Sequence, residues 1–248
     1  MIHSFLLIGQ SNMAGRGFRS EVEGIKNSNL RVLRNGRWQK MFFPVNPDRE
    51  FSGVCLAESF ADAYSKDHEG IEVGLIPCAD GGTCLDQWAE GSLLFDHAVF
   101  QSILAKRTSK IVGVLWHQGE SDTQDGSYPY YEEKFTKIMN ALREKLDLHD
   151  VPFILGGLGD YLPNYYGDKR HERVNEALVR IANNNELVGF ASATGLAPNP
   201  DNIHFNSSSL REFGLRYYEE YKKFGYDAKL NACDTFIDDS KRSAIELL

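Results

Sequence analysis

Ser11 is the first residue of this sequence with a side chain and a setting suited to chemistry. It follows an apolar run at residues 5–8 and Gly9, and small and polar residues follow it. We predict that the run is a buried strand and that the serine lies where the chain turns into a helix. Backbone N–H groups without acceptors lie beside a hydroxyl at such a turn, and acyl transfer needs both a nucleophile and oxyanion donors. Taken alone, however, this stretch is more typical of a serine that only caps a helix than of a nucleophile.

Asp201 and His204 supply the groups that a serine nucleophile requires. Two intervening residues on one loop can place a carboxylate beside an imidazole. The carboxylate would fix the tautomer of the imidazole and stabilise its charged form while the imidazole removes the proton of Ser11. The chain order Ser, Asp, His is one of the known triad orders. By itself, an Asp-x-x-His pair in a loop is more often a surface polar pair or an Asx-turn.

Two further segments offer hydrogen-bond donors after predicted strands. Gly81 and Gly82 follow the second strand, and glycine lets a backbone N–H approach a reacting oxygen closely. Gln118 follows the third strand and carries a neutral side-chain donor. Each alone is more often a simple turn or a hydrogen-bonded strand end. Four such segments after strands one, two, three and five are hard to ascribe to chance, because ligands bind at the carboxyl ends of parallel strands.

These segments require a sheet that brings strand ends together. Apolar runs predict further strands at 71–77, 111–116, 151–155 and 187–192. Helical periodicity predicts helices at 54–66, 94–107, 130–148, 171–183 and 208–224. Strands that alternate with long helices indicate a parallel sheet with helices on both faces. The Asn-Gly dipeptide at 35–36, inside an alternating stretch at 30–41, predicts a small β-hairpin. We assign residues 1–226 to one domain and give the tail, residues 227–248, no role.

The composition limits the class of partner. The 248 residues carry a formal net charge of −8 and contain no Lys/Arg-rich run, which argues against nucleic acid and anionic membranes as partners. No apolar stretch reaches the roughly 18 to 20 residues that span a bilayer. The N-terminus lacks the basic region and apolar length of a secretory signal. The four cysteines show no zinc spacing. We therefore predict a cytoplasmic protein with reduced thiols.

Four blocks of the sequence together resemble those of SGNH-type hydrolases. More narrowly, they resemble the sialate O-acetylesterase and acetylxylan esterase group, known as carbohydrate esterase family 6. The blocks lie at residues 9–17, 77–83, 116–122 and 201–205, and the resemblance spans about residues 2–224. It implies a flavodoxin-like, three-layer α/β/α sandwich with a doubly wound sheet of about five parallel strands. It also implies removal of acetyl groups from sugars with neither a metal nor another cofactor.

The resemblance also implies a role for individual residues. Ser11 would be the nucleophile, His204 the general base and acid, and Asp201 its orienting carboxylate. The backbone N–H groups of Ser11 and Gly82 and the side chain of Gln118 would line the oxyanion hole. The wider superfamily usually has Asn as the side-chain donor, and this sequence has Gln118 in the corresponding block, as the narrower group does.

Glu120 lies in the same block as Gln118. A carboxylate close to a developing oxyanion would repel it, so we expect Glu120 to be turned inward, where it accepts backbone hydrogen bonds from the Ser11 loop and supports it. His117 could line the site, but a buried, hydrogen-bonded histidine at the end of a strand is the stronger expectation.

Two alternatives belong to other functional classes. A metal-dependent hydrolase could be built from His117, Glu120, Asp122 and His204, although metal sites more often show histidines at helical or hairpin spacing. A non-catalytic carbohydrate-binding module would explain the aromatic residues Trp88, Tyr128, Tyr161 and Tyr165, but it would leave Asp201 and His204 without a role.

The expected partner is a small acetylated sugar or oligosaccharide, with no nucleic acid and no membrane. Residues 18–52, 84–97 and 160–170 are expected to form the walls of its pocket. The sequence does not identify the sugar or the oligomeric state.

Overall fold

The computed structural model describes residues 1–124 and 126–226, in which seven strands form one sheet flanked by helices. The strands are β1 (Ile2–Gly9), β2 (Leu30–Arg34), β3 (Arg37–Lys40), β4 (Glu72–Pro77), β5 (Lys110–His117), β6 (Phe153–Gly156) and β7 (Val188–Ala191). The helices are α1 (Ser11–Ala14), α2 (Leu56–Asp67), α3 (Leu93–Lys106), α4 (Tyr131–Leu146), α5 (Pro163–Tyr166), α6 (Arg170–Asn183) and α7 (Ser207–Lys222). The bounds of the predicted strands and long helices agree with these to within a few residues.

The strand order is β3-β2-β4-β1-β5-β6-β7, and only the pair β2–β3 is antiparallel. Its five-stranded part, β4-β1-β5-β6-β7, has the flavodoxin-like order, so the predicted fold class is confirmed. The expected number of about five parallel strands was too low. The hairpin predicted at 30–41 exists, but β2 also pairs in parallel with β4, which gives six parallel strands and one antiparallel strand. This pairing joins residues about 40 positions apart, and the local alternation at 30–41 carries no signal of it.

β1 lies in the middle of the sheet and determines where the site is formed. Its residues 5–8 are fully buried, as expected for a parallel strand covered on both faces. The register places Leu7 opposite Pro77 of β4 and Gly9 opposite His117 of β5. The three strands therefore end at the same edge, and the polar segments that follow them meet there. This is the point where the strand order reverses, which is where such sheets bind ligands.

The helices form the two outer layers. α2 and α7 pack against each other on one face, whereas α3, α4 and α6 cover the other. α4 shows the predicted pattern, because Phe135, Ile138, Leu142 and Leu146 form its buried stripe. No described helix is long and apolar enough to cross a membrane. Cys55, Cys78 and Cys84 are free thiols, and Cys233 and the tail at 227–248 lie outside the described residues.

The contact between α2 and α7 depends on Gly214, and its replacement by alanine tests the packing. A Cβ atom at this position would overlap the carbonyl oxygen of Leu56 and the hydroxyl of Ser59. Alanine gains about 1 kcal/mol of helix preference, but a clash with backbone in a packed core costs roughly 1–3 kcal/mol and here lies at or above the upper end. We expect Gly214→Ala to lower the thermal midpoint of unfolding by several degrees.

Gly24→Ala is the matched control, because a Cβ atom there would meet nothing within 4 Å. Thermal unfolding followed by circular dichroism should leave the midpoint of this variant close to that of the parent. A Gly214→Ala midpoint equal to or above the parent value would contradict the close approach of the two helices.

Candidate active site

Ser11, His204 and Asp201 form a hydrogen-bonded series at the carboxyl edge of the sheet. The Ser11 Oγ atom lies 2.9 Å from Nε2 of His204, and Nδ1 of His204 lies 2.8 Å from Oδ2 of Asp201. The serine is 193 positions from the histidine in sequence. Asp201 can only accept, so the network assigns the ring proton to Nδ1 and leaves Nε2 to accept from the hydroxyl. Such an imidazole can take the serine proton.

The position of Ser11 follows from the turn at the end of β1. Gly9 has a φ of +128°, and a side chain there would overlap the backbone of His117. The N–H of Gln10 donates to the carbonyl of His117 over 2.9 Å, which ties the turn to β5. Gln10 occupies the cap position of α1, so Ser11 is the first helical residue. The interpretation of Ser11 as a helix cap is therefore wrong.

A tight loop that Asp201 itself stabilises presents His204. The Oδ1 atom of Asp201 accepts from the N–H groups of Ile203 and His204, both at 3.0 Å. The second oxygen is thereby free for the imidazole. Burial raises the pKa of Asp201, but the backbone and ring N–H bonds from His204 outweigh it, and the net pKa is lowered. The carboxylate thus stays ionised and combines an Asx-type turn with orientation of the ring.

Asn12 connects the serine turn to the histidine loop, which the sequence reasoning missed. Its Oδ1 atom accepts from the N–H of Phe205 at 3.1 Å, and its Nδ2 atom donates to the carbonyl of Ile203 at 3.3 Å. These two residues flank His204, so one amide beside Ser11 holds the backbone on both sides of the imidazole. Asn12 lies within the first sequence block, but its contacts join segments almost 200 positions apart.

Glu120 holds the Asn12 amide in this orientation. Its Oε1 atom accepts from Nδ2 of Asn12 at 2.5 Å and lies 3.1 Å from Nε2 of His117. Burial raises the pKa of Glu120, but the charge and hydrogen bonds of His117 and Asn12 outweigh this, so the pKa is lowered. The expectation of backbone bonds from the Ser11 loop was wrong, since the partners of this carboxylate are the side chains of Asn12 and His117. His117 is fully buried and hydrogen-bonded, as predicted.

The Gly81–Gly82 turn lies against Ser11. A Cβ atom on Gly81 would stand 3.4 Å from Cβ of Ser11, and the N–H of Gly81 donates to Oδ2 of Asp48 at 2.9 Å. Asp48 forms a buried, bidentate ion pair with Arg16 at 3.0 and 2.6 Å. Gly82 has a φ of +78°, and its N–H has no acceptor among the described residues. The same holds for the N–H of Ser11, so two backbone donors, one on Ser11 itself and one on the residue after Gly81, are available to a ligand.

Gln118 does not supply the expected third donor. The residue is fully buried, and its Nε2 atom donates to the carbonyl of Thr83 at 2.9 Å and to Oδ2 of Asp122 at 2.5 Å. Both amide hydrogens are thus engaged. Trp88 also donates to the Thr83 hydroxyl at 3.0 Å, so this network fixes the residue that follows Gly82. The physical reason for the error is that Asp122, four positions later, is buried and competes for the amide.

The residues named for the two alternatives lie in different settings. Among residues 1–124 and 126–226, no group of three or more His, Cys, Asp or Glu side chains is placed to hold a metal ion. Of the aromatic side chains considered for sugar stacking, Trp88 is fully buried and Tyr161 is 8% exposed, whereas Tyr165 is 53% exposed. Trp88 packs edge-on against Trp116 in the core.

The chain is similar to known proteins over nearly its whole described length. Residues 1–223 match the family model for carbohydrate esterases described as sialic acid-specific acetylesterases. A probable carbohydrate esterase of Arabidopsis thaliana is 30% identical over 242 residues, which covers 88% of this chain and 89% of that protein.

Solved structures show the same architecture. An Arabidopsis thaliana protein superimposes with a TM-score of 0.81 at 27% identity, covering 89% of this chain and 98% of the other. A carbohydrate acetylesterase from Xanthomonas citri superimposes with a TM-score of 0.69 at 20% identity, and the match covers 91% of this chain and 56% of the other. At this identity the similarity indicates a shared fold only. With nearly its whole described length matched by the family model, the chain belongs to the family of carbohydrate esterases described as sialic acid-specific acetylesterases.

Proposed function

We propose that this protein is a serine esterase that removes acetyl groups from carbohydrate hydroxyls through an acyl-enzyme intermediate. Membership of the carbohydrate esterase family supports ester hydrolysis on carbohydrates. The observation that carries the serine mechanism is the series Ser11–His204–Asp201, with contacts of 2.9 and 2.8 Å. A neutral serine hydroxyl is a poor nucleophile, and an oriented imidazole at this distance is the group that activates it.

The first half of the reaction forms the acyl-enzyme. Ser11 Oγ attacks the acetyl carbonyl carbon while Nε2 of His204 takes its proton, and the carbonyl oxygen becomes an oxyanion. His204 then protonates the sugar oxygen as the C–O bond breaks, so the sugar leaves as an alcohol. Asp201 stabilises the imidazolium that exists between these two proton transfers.

The second half repeats these steps with water. His204 removes a proton from a water molecule that attacks the acetyl-serine carbonyl carbon, and Ser11 leaves with that proton as acetate is released. In both halves the oxyanion accepts hydrogen bonds from the N–H groups of Ser11 and Gly82. Donors that already point at the site stabilise the transition state without reorganisation.

Removal of either Ser11 or His204 tests the mechanism. We expect Ser11→Ala and His204→Ala to lower kcat for p-nitrophenyl acetate and for an acetylated sugar by at least about 10³-fold, as loss of a triad member does elsewhere. Circular dichroism should show both variants folded, because the two side chains lie at the rim of the sheet rather than in its core.

His149→Ala is the control, because this exposed histidine precedes β6 and so lies at the amino end of the parallel strands, opposite the site. Its ionic partner in the described part of the chain is Glu144. Its kcat should equal that of the parent. Treatment with excess chelator should leave the parent active. Undiminished turnover by Ser11→Ala would refute the serine mechanism, and loss of activity on chelation would favour the metal-dependent alternative.

Asn12 is proposed to position His204 rather than to act on the substrate. Its replacement by alanine leaves the N–H of Phe205 and the carboxylate of Glu120 without this partner. A shift of the imidazole by about 1 Å costs on the order of 10²-fold in rate. We expect Asn12→Ala to lower kcat by roughly 10- to 100-fold with little change in KM, measured on p-nitrophenyl acetate.

Asn175→Ala is a matched control, because the Asn175 amide also makes two hydrogen bonds to backbone. Its Oδ1 atom accepts from the N–H of Leu158 at 2.7 Å, and its Nδ2 atom donates to the carbonyl of Leu158 at 3.1 Å. It makes no hydrogen bond to Ser11 or His204. If both variants lose stability equally but only Asn12→Ala loses kcat, the effect is one of positioning. Equal kcat values for the two would contradict the proposed role.

Replacement of Gln118 tests whether its amide has a structural role or donates to the oxyanion. Gln118→Met keeps the volume but removes the bonds to Asp122 and Thr83, which should lower the free energy of unfolding by about 1–3 kcal/mol, since buried acceptors lose their donor. Denaturant unfolding measures this change. A variant of unchanged stability whose kcat falls roughly 10²-fold would instead identify Gln118 as an oxyanion donor.

A further inference from the structure

A second concave site lies next to the candidate active site, on the same edge of the sheet. We call it the α3 groove: a cavity of about 420 Å³ formed by residues 33–35, 46–49 and 77–80 and by the first two turns of α3 at 93–101. These residues follow β2 and β4 at their carboxyl ends and begin the helix that precedes β5. Its volume is within the range of sites that bind small molecules, roughly 300 to 1,000 Å³.

One turn of backbone separates the α3 groove from Ser11. Asp80 lines the groove, and the next residue, Gly81, is the one whose Cβ position lies 3.4 Å from Cβ of Ser11. Asp48 lines the groove as well and accepts the N–H of Gly81. The glycine turn is thus shared by the two sites, since Gly81 lies against Ser11 and its neighbour Asp80 lines the groove.

Three side chains in the groove offer hydrogen bonds that the protein does not use. Asn35, His97 and Gln101 make no side-chain hydrogen bond to any other residue in the described part of the chain. Amide and imidazole groups both donate and accept, as the hydroxyls of a sugar do. Asn35 lies in the tight turn between β2 and β3 with a φ of +51°, so the hairpin holds its position. These groups are presented from rigid elements, not from a long loop.

The rest of the lining is apolar or already paired. Leu93 lines the groove and is 83% exposed, which makes it an apolar surface for the C–H face of a sugar ring. The charged side chains of the lining are already engaged: Asp48 pairs with Arg16, Nη1 of Arg49 lies 2.8 Å from Oδ1 of Asp80 within the lining itself, and Arg34 donates to the carbonyls of the 44–45 segment. The unused polar groups are therefore uncharged amides and an imidazole, which favours an uncharged ligand.

We propose that the α3 groove binds an uncharged sugar unit adjacent to the acetylated one, so that the preferred substrate is an acetylated oligosaccharide rather than an acetylated monosaccharide. This inference rests on the proposed function. It assigns to Asn35, His97 and Gln101 the recognition of sugar hydroxyls, with Leu93 beneath the ring. Binding energy from the second unit would appear mainly in KM, because the groove does not contact the ester.

The test compares oligosaccharides with their own monomers. Chemically acetylated four-unit oligosaccharides of xylose, glucose and mannose are assayed beside the acetylated methyl glycoside of each sugar, with p-nitrophenyl acetate as the reference. For the parent protein we expect at least one oligosaccharide to show a kcat/KM about tenfold or more above that of its monomer. If none of the three exceeds its monomer, the proposal is wrong.

Variants then locate the effect. For Asn35→Ala combined with His97→Ala, the ratio of kcat/KM for the preferred oligosaccharide to that for p-nitrophenyl acetate should fall about tenfold, through KM. The matched control is Asn140→Ala, whose amide lines a separate cavity of about 500 Å³ beside α4 and should leave the ratio unchanged. An unchanged ratio in the groove variant, or an equal fall in the control, would overturn the assignment.

These outcomes are separable from a failure of the proposed function. If the Ser11→Ala variant keeps hydrolysing p-nitrophenyl acetate, the serine mechanism fails whatever the oligosaccharide preference. If Ser11→Ala is inactive but the oligosaccharides and monomers are cleaved equally, the esterase stands and only the groove assignment fails.

Discussion

The hydrogen bond between Ser11 and His204 depends on a single geometric constraint, the common edge at which the parallel strands end. β1, β4 and β5 are in register at their carboxyl ends, so the segments that follow them meet at one place. The loop after β7 reaches the same edge and returns His204 to within 2.9 Å of a residue 193 positions earlier. Without that register, no local property of either segment would bring the hydroxyl and the imidazole together.

Buried ionic and polar groups hold this edge in place. Glu120 and His117 lie behind Asn12, whereas Asp48 and Arg16 lie behind Gly81. Each pair is almost entirely removed from water, and burial of charges costs free energy that pairing and hydrogen bonds must offset. The directional hydrogen bonds fix groups beside Ser11: Glu120 holds the Asn12 amide, and Asp48 holds the N–H of Gly81. Each pair supports one side of the serine. Glu120 acts through Asn12 on the histidine loop, and Asp48 acts directly on the glycine turn.

The hairpin β2–β3 extends the parallel sheet at the edge next to β4 and provides one wall of the α3 groove. Its turn carries Asn35, and the loop that follows carries Asp48, which contacts the glycine turn. The same segment of the chain therefore supports the candidate oxyanion donors on one side and lines the neighbouring cavity on the other. Residues 30–49 therefore contribute both to the support of the glycine turn and to the lining of the cavity beside it.

The sequence alone determined the fold class, the positions of the strands and long helices, and the identity of the residues that meet at the edge. Those properties follow from local patterns: apolar runs, helical periodicity and short motifs at strand ends, each contained in a few neighbouring residues. Only the tertiary structure decided the partners of the polar groups. Three features show this: β2 joins the sheet, Asn12 contacts the backbone on both sides of His204, and Asp122 engages Gln118. Each depends on which hydrogen-bonding groups come within reach of one another, and compete for the same partner, once they are buried. That competition is set by distances between segments far apart in the chain, and the order of residue types does not contain it.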